Sequence, residues 1–233
     1  MKSPWLPALL MSATVLSTTT TFLPAANAFS AATAKVETLD LGQDKLVNIF
    51  APLTPRRTTQ SDFALARLIS HCPSFVEDRN VLTLQCSGLV SAAACKHGRP
   101  NHVCVANSNL DELAQVYGGC TQLHRSRASV SRCHMLWNDP STWPNQKYDV
   151  LLASDVLQNR DDIGSLVQLL QSYLTDDMQM EHEKAKRALL VDPISRANRD
   201  VFCTAAFRAG LQVDPAPFPG MEEDFVLLSV TCS

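Results

Sequence analysis

Apolar and polar residues along this chain change period in blocks. Short runs that are nearly all apolar, Asn80 to Leu84, His102 to Ala106, Tyr148 to Ala153 and Arg187 to Val191, read as strands covered on both faces. Ser129 to Trp137 reads as a further strand. Between them the spacing turns helical: Leu89 to His97, closed by Gly98, then Leu110 to Tyr117, ended by Gly118-Gly119. Asp161 to Leu174 places Ile163, Leu166, Val167, Leu170 and Leu174 on one face of a third helix, and Ala197 to Ala209, stopped by Gly210, is a fourth. Ahead of this alternation, Ser61 to Ile69 has helical spacing with Ser61 or Asp62 as its N-cap. Val36 to Leu41 and Leu46 to Phe50 flank Gly42-Gln43-Asp44, a hairpin turn, while Pro52 to Thr59 and Pro140 to Gln146 read as loops.

Strands separated by helices of this length imply right-handed crossovers and a parallel sheet. Leu211 to Asp214 and Phe225 to Val230 are joined only by the loop Pro215 to Asp224, so the last strand is predicted to run antiparallel. The pattern predicts an α/β, Rossmann-like fold. Its sheet has seven strands, mostly parallel with an antiparallel last strand, and an N-terminal β-hairpin precedes it.

The length of 233 residues suits one such domain behind a processed leader. Residues 1 to 28 read as a signal peptide: Lys2, an apolar run from Trp5 to Leu16, a Thr cluster that ends it before it spans a bilayer, then Ala26-Asn27-Ala28. Residues 29 to 35 have no acid and are transit-like, which leaves 36 to 233 as the domain. The string Ala28-Phe29-Ser30-Ala31 resembles the signal/transit junction of plastid proteins in algae with complex plastids. The expectation is entry into the secretory route and delivery to a plastid, with the endoplasmic reticulum or secretion as the alternative. No stable membrane span remains after cleavage, and a monomer is expected. The net charge is -3 and Lys and Arg are scattered, so no basic stripe invites nucleic acid. Eight cysteines include no C-x-x-C pair, and the six histidines form no H-x-x-x-H pattern, so no metal site is predicted. Cys86, Cys104, Cys133 and Cys232 fall in apolar runs and are predicted to be buried as small apolar groups.

Specific strings then narrow the class. Val81-Leu82-Thr83-Leu84-Gln85-Cys86-Ser87-Gly88-Leu89-Val90-Ser91 resembles the first strand and glycine loop of the lysine-methyltransferase-like group called methyltransferase family 16, whose usual form is V-L-E-L-G-x-G-x-G-L-V-S. Tyr148 to Leu157 resembles the group's fourth-strand motif, and Leu136-Trp137 its aromatic step after the third strand. The resemblance runs from Val36 to the C-terminus. It implies the class I methyltransferase fold, with S-adenosylmethionine lying across the carboxyl ends of the strands at the switch point. It implies cofactor contacts from Thr83, Gln85, Ser87, Gly88, Asn107, Ser108, Trp137 and Ala153. Asp155 is then the catalytic residue that orients the acceptor, a lysine-type protein side chain or a small amine. The residues alone also allow plainer roles: Asp155 as a helix cap, Trp137 as core, Gly88 as a tight turn.

The chain departs from the family's pattern in a way that bears on binding. Gln85 stands at the first glycine, Ser87 near the second, and the loop is one residue short. Thr83 replaces an acid, Asn107 and Ser108 replace the acid that grips the ribose hydroxyls, and Gln158 replaces the Tyr of Asp-x-x-Tyr. Each change costs roughly 1–3 kcal/mol of binding where a charge-assisted bond is lost. Two functions follow: an S-adenosylmethionine-dependent methyltransferase, or a catalytically degenerate relative, a pseudoenzyme that serves as a binding or scaffold module. A nucleotide-binding protein of another kind has no intact phosphate loop to support it. The charged run Asp176 to Lys186 is predicted to be solvated.

Overall fold

The computed structural model describes residues 21–22, 35–50, 59–85, 88–123, 128–175, 185–217 and 224–232. The expected leader apart from 21–22, most of the transit-like segment, the loop at 51–58, Cys86, Ser87 and most of the charged run lie outside the described residues. A small antiparallel sheet comes first: β1 (Thr21–Phe22), β2 (Lys35–Asp40) and β3 (Leu46–Phe50). β1 falls inside the expected leader. The β2–β3 turn is the predicted one, with Gly42, Gln43 and Asp44 all at positive φ. That is the backbone a tight two-strand turn demands.

The domain then runs α1 (Gln60–His71), β4 (Asn80–Leu84), α2 (Gly88–Ala93), β5 (His102–Asn107), α3 (Leu110–Gly118), β6 (Ser129–His134), β7 (Val150–Ser154), α4 (Ile163–Leu174), β8 (Arg187–Pro193), α5 (Arg199–Arg208), β9 (Leu211–Pro217) and β10 (Phe225–Cys232). Strand order is β6-β5-β4-β7-β8-β10-β9. Every pair from β6 to β8 is parallel, and β10 is antiparallel to both its neighbours. This is the predicted seven-stranded α/β architecture.

Alternate strand residues serve opposite faces, and both faces are covered. Val81, Val103, Val150, Leu152 and Leu189 join α1, α2 and α3 in one apolar cluster. Leu82, Leu84, Leu151, Ala153 and Leu190 join α4 and α5 in the other. Two-sided burial is why these strands read as continuous apolar runs. The chain leaves β4 toward β5 and β6, then crosses to β7 on the other side. The switch point therefore lies between β4 and β7, which pair at Leu84 and Ala153.

Four local readings change. The N-cap of α1 is Thr59, and Asp62 is the third residue of a capping box: its N–H donates to Thr59 Oγ1 at 3.1 Å while its carboxylate accepts the Thr59 N–H at 2.9 Å. β6 stops at His134 rather than Trp137, because the Leu136 N–H turns to Thr142 Oγ1 at 2.9 Å. α2 and α3 run on into π-turns, Ala94–Gly98 and Gly119–Leu123. Cys104 is buried as predicted, but Cys133, on the edge strand β6, is half-buried, and Cys232, the last residue of β10, is exposed.

Gly98 is fixed by close approach. A Cβ there would lie 2.4 Å from Val76 Cγ2, so Gly98→Ala is expected to cost about 1–3 kcal/mol in urea unfolding.

Candidate functional site

The carboxyl ends of β4, β5, β7 and β8 gather the polar groups. At the end of β4, Gln85 sits in the left-handed region, φ 49°, and its N–H extends the ladder to the Ala106 carbonyl at 2.9 Å. At the end of β7, Asp155 does the same, φ 55°, with its N–H on the Val191 carbonyl at 3.0 Å. These two strands adjoin at the switch point. A side chain in this region costs roughly 1–2 kcal/mol, and such strain collects where function fixes the backbone. The first of these is the residue that the resemblance sets against a glycine, and Gln85 here takes the left-handed backbone that favours glycine.

The polar residues around Gln85 are largely bonded to one another. Its amide nitrogen is 3.4 Å from Ser108 Oγ, across the gap between the ends of β4 and β5. Asn107 is buried; its side-chain oxygen accepts the Asn109 N–H at 2.8 Å and its amide donates to Glu112 Oε2 at 3.2 Å. Asn109 in turn caps α3 by accepting the N–H groups of Asp111 and Glu112. Glu112, in the first turn of α3, thus brings a carboxylate to the end of β5. The sequence carries a signal for it, an Asn cap followed by Asp111 and Glu112, which the reading of the strand end alone passed over. His134 Nε2 lies 3.0 Å from the Ser108 carbonyl.

Thr83 is placed elsewhere. It is buried, with Oγ1 2.9 Å from Ser91 Oγ and 3.4 Å from the Cys104 carbonyl, so it ties β4 to α2. Thr83→Val is expected to strand the buried Ser91 hydroxyl and cost about 1–2 kcal/mol in urea unfolding. Gly88 opens α2 at an ordinary φ, and a Cβ there would rest 3.5 Å from Val116 Cγ2. It serves helix packing, and alanine fits.

Trp137 and Ala153 form an apolar floor. Both are buried, in one cluster with Leu84, Ala106 and Met135. The Trp137 indole Nε1 is buried and has no hydrogen-bond partner among the described residues. A buried donor left unpaired is costly, so an acceptor on a bound molecule suits this position.

The other side of the switch point is ionic. Asp155 Oδ1 accepts from Arg196 Nη2 at 2.7 Å, and Arg196 Nε lies 3.3 Å from Asp192 Oδ2. Arg196 therefore bridges two carboxylates, with side chains 10% exposed at Asp155 and fully buried at Asp192. Burial, helped by the Asp155 carboxylate, pushes Asp192 up to about 6 against the pull of Arg196 and of the Leu157 backbone. Asn198 donates to the carbonyls of Leu157 and Gln158 at 3.0 and 3.1 Å, fixing the turn after β7. Gln158 itself is exposed. Beneath, Ser154 Oγ donates to Asp62 Oδ1 at 2.5 Å, pinning the start of α1 over the end of β7. Sequence reasoning missed Arg196, Asp192 and Asn198. Pairing with Arg196 orients Asp155, which suits it to direct an acceptor amine more than to take a proton from one.

No family model matches the chain, and no curated protein does. Solved structures do match in fold. The chain is similar to a fibrillarin pre-rRNA processing protein of Methanococcus jannaschii, at 13% identity over 84% of this chain and 94% of that one, TM-score 0.54. It is similar to Aeropyrum pernix fibrillarin in complex with natively bound S-adenosyl-L-methionine, at 14% identity over 84% and 94%, TM-score 0.52. A methyltransferase from Pyrococcus furiosus matches at 11% identity over 79% and 90%, TM-score 0.59. The fold is the Rossmann-like fold of class I S-adenosylmethionine-dependent methyltransferases. The finer resemblance to family 16 rests on the strings at β4 and β7 and on Leu136-Trp137 alone.

Proposed function

We propose that this chain is an S-adenosylmethionine-dependent methyltransferase acting on a lysine-type protein side chain or a small amine. The observation that carries this reading is the pair of strained residues Gln85 and Asp155 at the adjoining ends of β4 and β7. Strain of this kind is retained where a ligand approaches backbone, and the fold class binds its cofactor at this switch point. The residues fit an adenosyl ligand in part. Trp137 offers an unpartnered indole N–H and Ala153 an apolar surface, while Ser108 and Glu112 offer hydroxyl and carboxylate for a ribose. When bound, the cofactor supplies a methyl group on a sulfonium sulfur. Asp155, held by Arg196, orients the acceptor nitrogen, and the apolar floor keeps water from the methyl. Methyl transfer to an amine depends mainly on such proximity and alignment. The net charge of -3 argues against a nucleic-acid acceptor. The composition of the leader supports entry into the secretory route and, in this reading, a plastid.

A second reading has its own observation: Thr83, Gln85, Asn107 and Asp155 all spend their polar groups on bonds within the chain. A protein that kept the fold as a binding module would look this way. Incubation with methyl-labelled S-adenosylmethionine, lysine peptides and small amines separates the two. Slow label transfer with formation of S-adenosylhomocysteine is expected. Binding of S-adenosylhomocysteine with no label on any acceptor would establish the second reading instead.

A further inference from the structure

At the edge of the sheet opposite the ligand site, one imidazole lies between two serines. His102 opens β5, and β6 pairs with β5 so that Ser129 stands opposite His102 and Ser131 opposite Cys104. Residues two apart on a strand share a face, so His102, Ser129 and Ser131 point the same way. Nδ1 of His102 is 2.8 Å from Ser129 Oγ, and Nε2 is 2.9 Å from Ser131 Oγ. The ring stacks on that of Tyr148, with centroids 6.4 Å apart and planes 28° from parallel. Ser129 is exposed and His102 and Ser131 are half-buried, so solvent reaches the group. One carbonyl sets the proton positions. Ser129 Oγ also lies 3.3 Å from the Asn101 carbonyl oxygen, which can only accept. The Ser129 hydroxyl donates its one proton there and therefore accepts from Nδ1–H. Nε2 is left with its lone pair facing the Ser131 hydroxyl, which donates to it. Burial holds the His102 imidazole below its ordinary value, which keeps Nε2 free of a second proton at neutral pH.

We propose that Ser131, His102 and Ser129 form a second site, one that cleaves small activated esters. Ser131 is the nucleophile, His102 its general base, and Ser129 the positioning residue that fixes the imidazole. A hydroxyl on a base, with the base set by a third group, is the arrangement that activates serine. In the step, the Ser131 Oγ–C bond to the acyl carbon forms as the C–O bond to the leaving alcohol breaks. The serine proton passes to His102 Nε2 and on to the leaving oxygen. Water then attacks the acyl-serine, with His102 taking its proton and returning it to Ser131 Oγ, which releases the acid. Nothing in the trio stabilises an oxyanion, which confines the substrates to esters with good leaving groups. The proposal stands apart from the methyltransferase reading.

The test treats the full chain with a fluorophosphonate, and separately with p-nitrophenyl acetate, then digests it and maps adducts by mass spectrometry. A phosphonyl group, formed with loss of fluoride, and an acetyl group are each expected on Ser131. His102→Gln should slow labelling of Ser131 about 100-fold. Ser129→Ala should slow it about tenfold, and Ser129→Thr, which keeps the hydroxyl, should restore it. Circular dichroism confirms that each variant is folded, and the Ser129 pair decides the question should His102→Gln fail to fold. Adducts found only on other residues overturn the proposal. So does a Ser131 rate unchanged in folded His102→Gln, or a Ser129→Thr chain as slow as Ser129→Ala.

Discussion

Replacing Arg196 by alanine is expected to lower stability at pH 7.5 by about 3 kcal/mol, because it leaves two carboxylates facing each other with no cation between them. The loss should depend on pH. Asp192 is pushed up to about 6 in the folded chain from an ordinary value of 3.8. The folded state therefore holds this proton where the unfolded state has released it. Protonation favours the fold, so the contribution of this group is greatest below pH 4 and falls by about 3 kcal/mol as pH rises to 6. This is opposite to the behaviour of a salt-bridged Asp with a depressed value. Without Arg196 the proton is held to still higher pH. The deficit of Arg196→Ala should then shrink between pH 7.5 and 5, and Asp192→Asn in the same background should recover much of it at pH 7.5. Urea unfolding at the two pH values checks this. An equal deficit at both would mean that the ionic bridge is not what Arg196 contributes.

The second large effect is expected at Gln85. Gln85→Gly places the residue best suited to φ 49° where the backbone already adopts it. Relief of the left-handed strain should outweigh the added freedom of the unfolded chain, for a gain of about 1 kcal/mol. The same change removes the side chain that reaches Ser108 across the two strand ends. Affinity for S-adenosylhomocysteine should rise about tenfold, the equivalent of one recovered bond. Calorimetry and thermal unfolding read the two effects separately. Greater stability with unchanged affinity would mean that the turn no longer faces a ligand.

The fold was legible because its strands are covered on both faces, which writes them as unbroken apolar runs such as Val150 to Ala153. Of the candidate site, the strings mark only strand ends: Gln85 reaches Ser108 across the ends of β4 and β5, and its backbone takes the left-handed conformation that favours glycine. Side-chain commitments were not legible. Arg196 finds Asp155 across 41 residues and Ser154 finds Asp62 across 92, and neither contact leaves a period in the sequence. Thr83 looked like a ligand contact because it replaces an acid, yet its hydroxyl turns to Ser91 on the helix packed above it. Thr59 was hidden as a cap because Pro52 and Pro55 made its segment read as loop to the last residue.

In the proposed function an adenosyl ligand lies over the adjoining ends of β4 and β7, against Trp137. Titration of S-adenosylhomocysteine into the 15N-labelled chain, with the indole N–H signal of Trp137 assigned through Trp137→Phe, tests this most directly. A saturable shift of that signal is expected as the indole proton gains an acceptor. A Trp137 signal that stays in place while calorimetry records saturating binding, or the absence of binding at millimolar ligand, would contradict it.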